Sequence, residues 1–207
     1  MGGPVRISMW NLPNLLTLSR IPLMFVIVGL MWVDNEMAGW TGAATLAFWL
    51  FIAAAITDWL DGSIARKRGI VSNFGKFMDA LTDKVLVLGI MVALIRHDED
   101  LPVTFVLLTL GREFMVSGMR MVVAAKGVVV PADGGGKVKT ITQMIALGCL
   151  LATPMLENDV ATWTGLAVHP FSEWVHKAGL LGFALGTFFA VWSGYRYLRR
   201  NWALFTE

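Results

Sequence analysis

Apolar residues in this chain come in long blocks, not in the alternation of a strand or the single stripe of a soluble helix. The stretch "IPLMFVIVGLMWV" (21–33) extends a run that opens near Asn11. It is followed by "WTGAATLAFWLFIAAAITDWL" (40–60), "VLVLGIMVALI" (85–95), "LPVTFVLLTLG" (101–111), "ITQMIALGCLLATPML" (141–156) and "AGLLGFALGTFFAVWSGY" (178–195). With its flanks each block reaches about 20 residues, the length that crosses a bilayer core. The polar stripe of a soluble amphipathic helix is mostly missing. The pattern predicts an all-α membrane protein of six transmembrane helices, with residues 1–207 as a single membrane domain.

Composition agrees: of 207 residues 56% are hydrophobic and only 15% charged, beyond the apolar share of a soluble domain. The net charge of +2 says less than its distribution. The segments after the first, third and fifth blocks, "DNE", "RHDED" and "ENDVATWTGLAVHPFSEW", are mostly acidic. Those between carry Arg66, Lys67, Arg68 and Lys76, then Lys126, Lys137 and Lys139, and finally Arg196, Arg199 and Arg200. Of 17 Lys and Arg residues only Arg96 and Lys177 fall on the acidic side. The positive-inside rule then puts both termini in the cytoplasm. Trp10, Trp32, Trp40, Trp174 and Trp202 sit near block ends, as interfacial anchors do. The lone Cys149 excludes an intrachain disulfide framework. His97, His169 and His176 fall on the outer side, so no histidine metal site is expected. No cleavable signal peptide is expected, because the first apolar run is too long and lacks a small-x-small site. No nucleic-acid partner is expected.

One segment breaks the apolar rule. "TDWLDGSIARKRGIVSNFGKFMDALTDK" (57–84) carries four aspartates where membrane helices should begin and end. Asp58 and Asp61 are spaced i, i+3 at the end of the second predicted helix; Asp79 and Asp83 are spaced i, i+4 at the start of the third. Such spacings share a helix face. A short connector makes the helices antiparallel neighbours, so both pairs can converge on one site below the membrane surface. Four adjacent carboxylates would repel each other and resist ionisation. Divalent cations remove the difficulty, and an all-oxygen donor set suits Mg²⁺ or Mn²⁺. Two such ions about 3.5–4 Å apart would form the arrangement used for in-line phosphoryl transfer. Gly62 and Ala65 lie on the carboxylate face and leave a groove, Arg66 one turn beyond Gly62 suits a phosphate, and Gly75 clears space before Asp79.

The spacing Asp58-x-x-Asp61-Gly62-x-x-Ala65-Arg66, followed by Gly75-x-x-x-Asp79-x-x-x-Asp83, resembles the signature of the CDP-alcohol phosphotransferases, without a departure. The resemblance implies a six-helix membrane fold, a homodimer and a metal-dependent site open to the cytoplasm, in a bacterial inner membrane. It implies transfer of a substituted phosphoryl group from a CDP-linked donor to an alcohol, with release of CMP. It makes Asp58, Asp61 and Asp79 chiefly metal ligands and Asp83 the general base within the same set. Gly62, Ala65, Arg66 and Gly75 fall to the CDP donor.

"NLPNLLTLSRIPL" (11–23), "GREFMVSGMR" (111–120) and "GKVKTITQM" (136–144) resemble the branch that passes the phosphatidyl group of CDP-diacylglycerol to glycerol 3-phosphate, giving phosphatidylglycerol phosphate. The resemblance therefore runs from Asn11 to about Leu151. Arg112 lies well inside the fourth predicted span, where an arginine needs a partner or an anionic ligand. Arg120 is two turns further on and rotated by about 80°, so the two can line one cleft. With Lys137 and Lys139 they suit an acceptor phosphate. Alternatively, Arg112 pairs with a carboxylate, Glu113 among the candidates, and the lysines only follow the positive-inside rule. Asn14, Thr17 and Arg20 recur at i, i+3, i+6 and fit structural or supporting work. Two further readings stay open. Within the family the acceptor could be that of a phosphatidylinositol-phosphate or cardiolipin synthase. Outside it, four membrane carboxylates could serve a cation transporter, although that leaves Arg66 and Gly75 without a role.

Overall fold

The apolar blocks fold as helices. In this computed structural model, which describes residues 12–36, 41–68, 73–125 and 134–202, the order is α1 (Leu12–Glu36), α2 (Ala43–Arg68), α3 (Asn73–His97), α4 (Val103–Ala125), α5 (Gly134–Pro154), a π-helical turn (Met155–Val160), α6 (Ala161–Thr164) and α7 (His169–Asn201). No strand occurs among the described residues, in keeping with the all-α expectation. Two helical stretches, Val138–Thr164 and His169–Asn201, are long and apolar enough to cross a membrane, and Leu18–Val33 and Ala43–Thr57 are shorter apolar helices. The chain forms two compact units: Met1–Ala93 with Pro154–Ala167, and Leu94–Thr153 with Val168–Glu207.

In the first unit α1 lies against α2. Met24, Ile27, Leu30 and Met31 of α1 are buried, as are Ala44, Ala47, Phe51 and Ala54 of α2 and Leu86, Ile90 and Met91 of α3. The i, i+3, i+4 spacing makes one covered face per helix, and the run of alanines on α2 allows backbones to approach. Gly89 shows how close α3 comes to α1: a Cβ there would lie 2.6 Å from the Met24 sulfur. Arg20 is also buried, at 2% exposure.

In the second unit α7 runs along α4. Its covered face reads Gly179, Phe183, Gly186, Thr187, Ala190, Ser193, Gly194 and Tyr197, again at helical spacing. Small residues on this face set the distance to α5: a Cβ on Gly179 would sit 2.9 Å from Leu150 Cδ2, and one on Gly186 would sit 2.6 Å from Gln143 Cγ. A buried polar layer joins the three helices, with Gln143 Nε2 donating to Thr109 Oγ1 (3.2 Å) and the Thr109 and Thr187 hydroxyls 3.2 Å apart. On the other face of α7 Leu181, Phe188 and Trp192 are exposed, as expected of a lipid-facing surface. Trp32, Trp174 and Trp202 are exposed as well, while Trp10 and Trp40 lie outside the described residues.

The acidic segment after α5 is not the open loop that its composition suggests. The helix continues past Pro154 as the π turn and then α6, with a left-handed Gly165 (φ +67°) closing it. Asp159, on the π turn, is fully buried (0% exposure). Its Oδ1 accepts from Gly42 N–H at 2.6 Å and its Oδ2 from Thr45 N–H at 2.7 Å. These amides lie at the start of α2, where N–H groups have no intrahelical partner. The carboxylate thus caps a helix more than a hundred residues earlier in sequence. Gly42 adopts φ +115°, a conformation that L side chains rarely enter, and this supports its amide's approach to Asp159. Asp159→Ala should lower the unfolding midpoint of the detergent-solubilised protein, by an amount on the order of 1–3 kcal/mol. Asp159→Asn, which keeps one good acceptor, should lose less.

Candidate active site

The helix boundaries place each half of the signature within one helix. Asp58, Asp61, Gly62, Ala65 and Arg66 fall in the last turns of α2, and Gly75, Asp79 and Asp83 in the first turns of α3. Both pairs of aspartates therefore have the helical register that their spacing predicts, about 60° apart around the axis on α2 and about 40° on α3. Both helix ends belong to the first unit. The side chains of these eight residues lie outside the described part of the structure, as do those of Asn14, Thr17 and Lys137. The donor set is four carboxylates with no cysteine or histidine between them in sequence, which fits a hard divalent cation.

The basic residues of the second unit are resolved in more detail. Arg112, on α4, is held on three sides: Nε donates to the Ala190 carbonyl (3.1 Å), Nη2 to Ser193 Oγ (3.0 Å) and Nη1 to Glu113 Oε1 (2.8 Å). The same Glu113 oxygen accepts from Lys139 Nζ of α5 at 2.5 Å. Glu113 and Lys139 are both buried. Two cations thus share one carboxylate oxygen. Gly194 makes room for the cluster, since a Cβ there would lie 2.9 Å from Arg112 Cγ. Arg112 thus has the carboxylate partner that its depth calls for, supplied by the next residue on its own helix. Arg120 is different. It is exposed, its guanidinium carbon lies 5.6 Å from the centre of the Tyr197 ring, and no carboxylate among the described residues pairs with it.

Sequence reasoning did not single out Ala190, Ser193, Gly194 or Tyr197, because α7 reads only as an apolar block. The serine and glycine one after the other inside that block were the available signal. A second group also escaped it. Ligand atoms of Asp98, Asp100 and His176 lie within 4.8 Å of one another. His176 Nε2 and Asp98 Oδ2 are 2.9 Å apart, and Asp98 Oδ1 accepts from the Asp100 N–H at 3.1 Å. This group ties the α3–α4 connection to α7 within the second unit and shares no residue with the aspartate signature.

Glu113→Gln should destabilise the protein by about 3–5 kcal/mol, because it removes the buried anion that Lys139 and Arg112 share. Combining it with Lys139→Met should recover part of the loss, and the difference, read from unfolding midpoints in detergent, measures the coupling.

A family model described as CDP-alcohol phosphatidyltransferase matches residues 10–176, a stretch that holds the whole signature and the Arg112–Glu113–Lys139 cluster. Among curated proteins, a CDP-diacylglycerol–glycerol-3-phosphate 3-phosphatidyltransferase of Bacillus subtilis is 38% identical over 206 residues, covering 94% of this chain and 96% of its own. Proteins of the same name from Rickettsia typhi and Salmonella choleraesuis are 43% and 34% identical, over 69% and 91% of this chain and 77% and 93% of their own. With the signature intact on α2 and α3, the chain belongs to the CDP-alcohol phosphatidyltransferase family.

Proposed function

We propose that the protein transfers the phosphatidyl group of CDP-diacylglycerol to glycerol 3-phosphate, forming phosphatidylglycerol phosphate and CMP. The observation that carries this reading is the pair of aspartate couples on consecutive helices, α2 and α3, at spacings that share a face. The acceptor is supported by relatives named for that reaction, two of which match more than nine-tenths of the chain. The basic residues that α4 and α5 carry, Arg112, Arg120 and Lys139, support it as well, since an acceptor bearing a phosphate is drawn to positive charge.

In this reading Asp58, Asp61 and Asp79 would chiefly hold Mg²⁺ or Mn²⁺, which when bound supplies positive charge against the pyrophosphate and the departing CMP, with Asp83 beside them as the base. Gly62 and Ala65 leave the face of α2 open to the CDP group, Gly75 does the same at the start of α3, and Arg66 neutralises a donor phosphate. Asp83 takes the proton from the glycerol hydroxyl as its oxygen bonds to the phosphatidyl phosphorus. The bond from that phosphorus to CMP breaks, and CMP leaves with the electron pair. Arg112, Arg120, Lys137 and Lys139 supply the positive field for the acceptor's own phosphate. The apolar blocks and the charge asymmetry support a six-span topology with both termini and the aspartates on the cytoplasmic side. Membrane lipids would surround the helices, and a homodimer is the assembly the family resemblance supports.

The test is incubation of purified protein with CDP-diacylglycerol and either glycerol 3-phosphate, inositol phosphate or phosphatidylglycerol, with CMP release and lipid product mass as readouts. Metal-dependent release with glycerol 3-phosphate alone is expected. A product with another acceptor, or none, would sink the assignment. Asp79→Asn should abolish turnover and weaken Mg²⁺ or Mn²⁺ binding together. Asp83→Asn should keep metal and donor binding while losing rate by about 10²–10⁴-fold. A base must be ionised to act, so wild-type activity should fall on the acid side, and Asp83→Asn should lose that limb.

A further inference from the structure

The side of α7 turned away from α4 carries a pattern of its own. Phe188, Trp192, Tyr195, Arg196, Arg199 and Arg200 are all exposed, and at about 100° per residue they fall within an arc of about 140°. Ala190 and Ser193, which hold Arg112, lie on the other side of the helix. The rings of Phe188 and Trp192 stack at 6.5 Å, and those of Trp192 and Tyr195 stand 6.4 Å apart. Leu181 and Leu185 continue the same stripe towards the start of the helix. From Leu181 to Trp192 the stripe rises roughly 16 Å, about half the thickness of a hydrocarbon core. It is therefore apolar over the depth of one leaflet, aromatic at the interface and cationic beyond it.

The three arginines lack the neutralisation that Arg112 has. No Asp or Glu occurs from 174 to 206, and no carboxylate among the described residues pairs with them. Arg196 and Arg199 are spaced i, i+3 and Arg196 and Arg200 i, i+4, so like charges repel along one face. A basic helix end at a membrane surface needs only a count of cations, at any position around the axis. Here all three continue the lipid-facing stripe, and all are guanidinium groups, whose planar forks match phosphate oxygens. We propose that this face of α7 holds an anionic phospholipid of the leaflet at its C-terminal end. One acyl chain lies along Leu185, Phe188 and Trp192, and the phosphodiester meets Arg196, Arg199 and Arg200. A zwitterionic headgroup carries its own cation into this positive field and is disfavoured, whereas a headgroup without one is retained. The site shares no residue with the aspartate signature or with the basic residues given to the acceptor. The proposal rests on the reading of α7 as a spanning helix and not on which alcohol accepts the phosphatidyl group.

The test gives full-length protein in detergent either phosphatidylglycerol or phosphatidylcholine, with EDTA present so that no divalent metal holds lipid at the aspartates. Native mass spectrometry should show phosphatidylglycerol retained in preference, and that lipid should raise the unfolding midpoint more. Arg196→Gln, Arg199→Gln and Arg200→Gln combined should weaken phosphatidylglycerol binding roughly 10- to 100-fold. Phosphatidylcholine binding and the lipid-free unfolding midpoint should stay close to wild type, which shows that the variant is folded. The same three positions changed Arg→Lys keep the charge without the forks and should bind with intermediate strength. Equal retention of the two lipids, or an unaffected Arg→Gln triple, overturns the proposal. So does an Arg→Lys triple that binds as tightly as wild type, since diffuse charge then suffices. An Arg→Gln triple that halves the mass of the assembly instead of losing lipid gives the face to a second copy, and this also overturns the proposal. A chain that leaves membranes in alkaline carbonate removes the spanning reading itself, whereas one that stays and ignores lipid charge removes this inference alone.

Discussion

A carboxylate among apolar helices is stable only beside cations or donors that replace its lost water, and Glu113 imposes this condition on the whole second unit. It binds Arg112 on its own helix and Lys139 on α5. Arg112 in turn reaches the Ala190 carbonyl and Ser193 on α7. Three helices separated in sequence are thereby fixed at one level, with the Thr109–Gln143–Thr187 layer nearby adding a second tie. The glycines of α7 follow from this requirement. Gly186 and Gly194 stand where a side chain would collide with Gln143 and Arg112, so the helices approach closely enough for short polar bonds. Between apolar helices in lipid, close fit and interhelical hydrogen bonds replace the hydrophobic drive that water supplies.

The first unit solves the same problem by a different route. Asp159 is as buried as any residue in the protein, yet its partners are two backbone amides and not a cation. A helix N-terminus carries partial positive charge and spare N–H groups, so it accepts a carboxylate. The π turn that carries Asp159 delivers it, and such turns often occur where a local backbone adjustment serves a particular contact. The consequence for function is mechanical: α2, whose far end bears Asp58 and Asp61, is fastened at its start.

Charge in this protein therefore serves two purposes that local sequence does not distinguish. Arg112 and Arg120 lie on one helix and both look suited to an anionic ligand. In the folded chain one is enclosed by protein partners and the other faces outward over an aromatic ring. Glu113, Asp98 and Asp159 are likewise all acids, spent on an ion network, on an imidazole and on a helix end. The signature aspartates differ from these acids in coming as two couples at helical spacing on consecutive helices.

The sequence by itself determined the helical class, the approximate helix positions and the signature, because these depend on local quantities. Block length sets a helix, 3.6-residue periodicity sets which aspartates share a face, and glycine and alanine at fixed offsets set where a helix is narrow. It also put Glu113 forward as a partner for Arg112, since adjacent residues meet without help from the fold. What only the tertiary structure decided involves groups brought together from distant segments. The acidic stretch after α5 showed only as a charged connection between apolar blocks until its helical continuation carried Asp159 to the start of α2. The last apolar block showed only as a spanning stretch until its small and polar face proved to hold Arg112 and to leave Tyr197 beside Arg120. Burial and pairing are properties of neighbours, and for these residues the neighbours are tens of residues away along the chain.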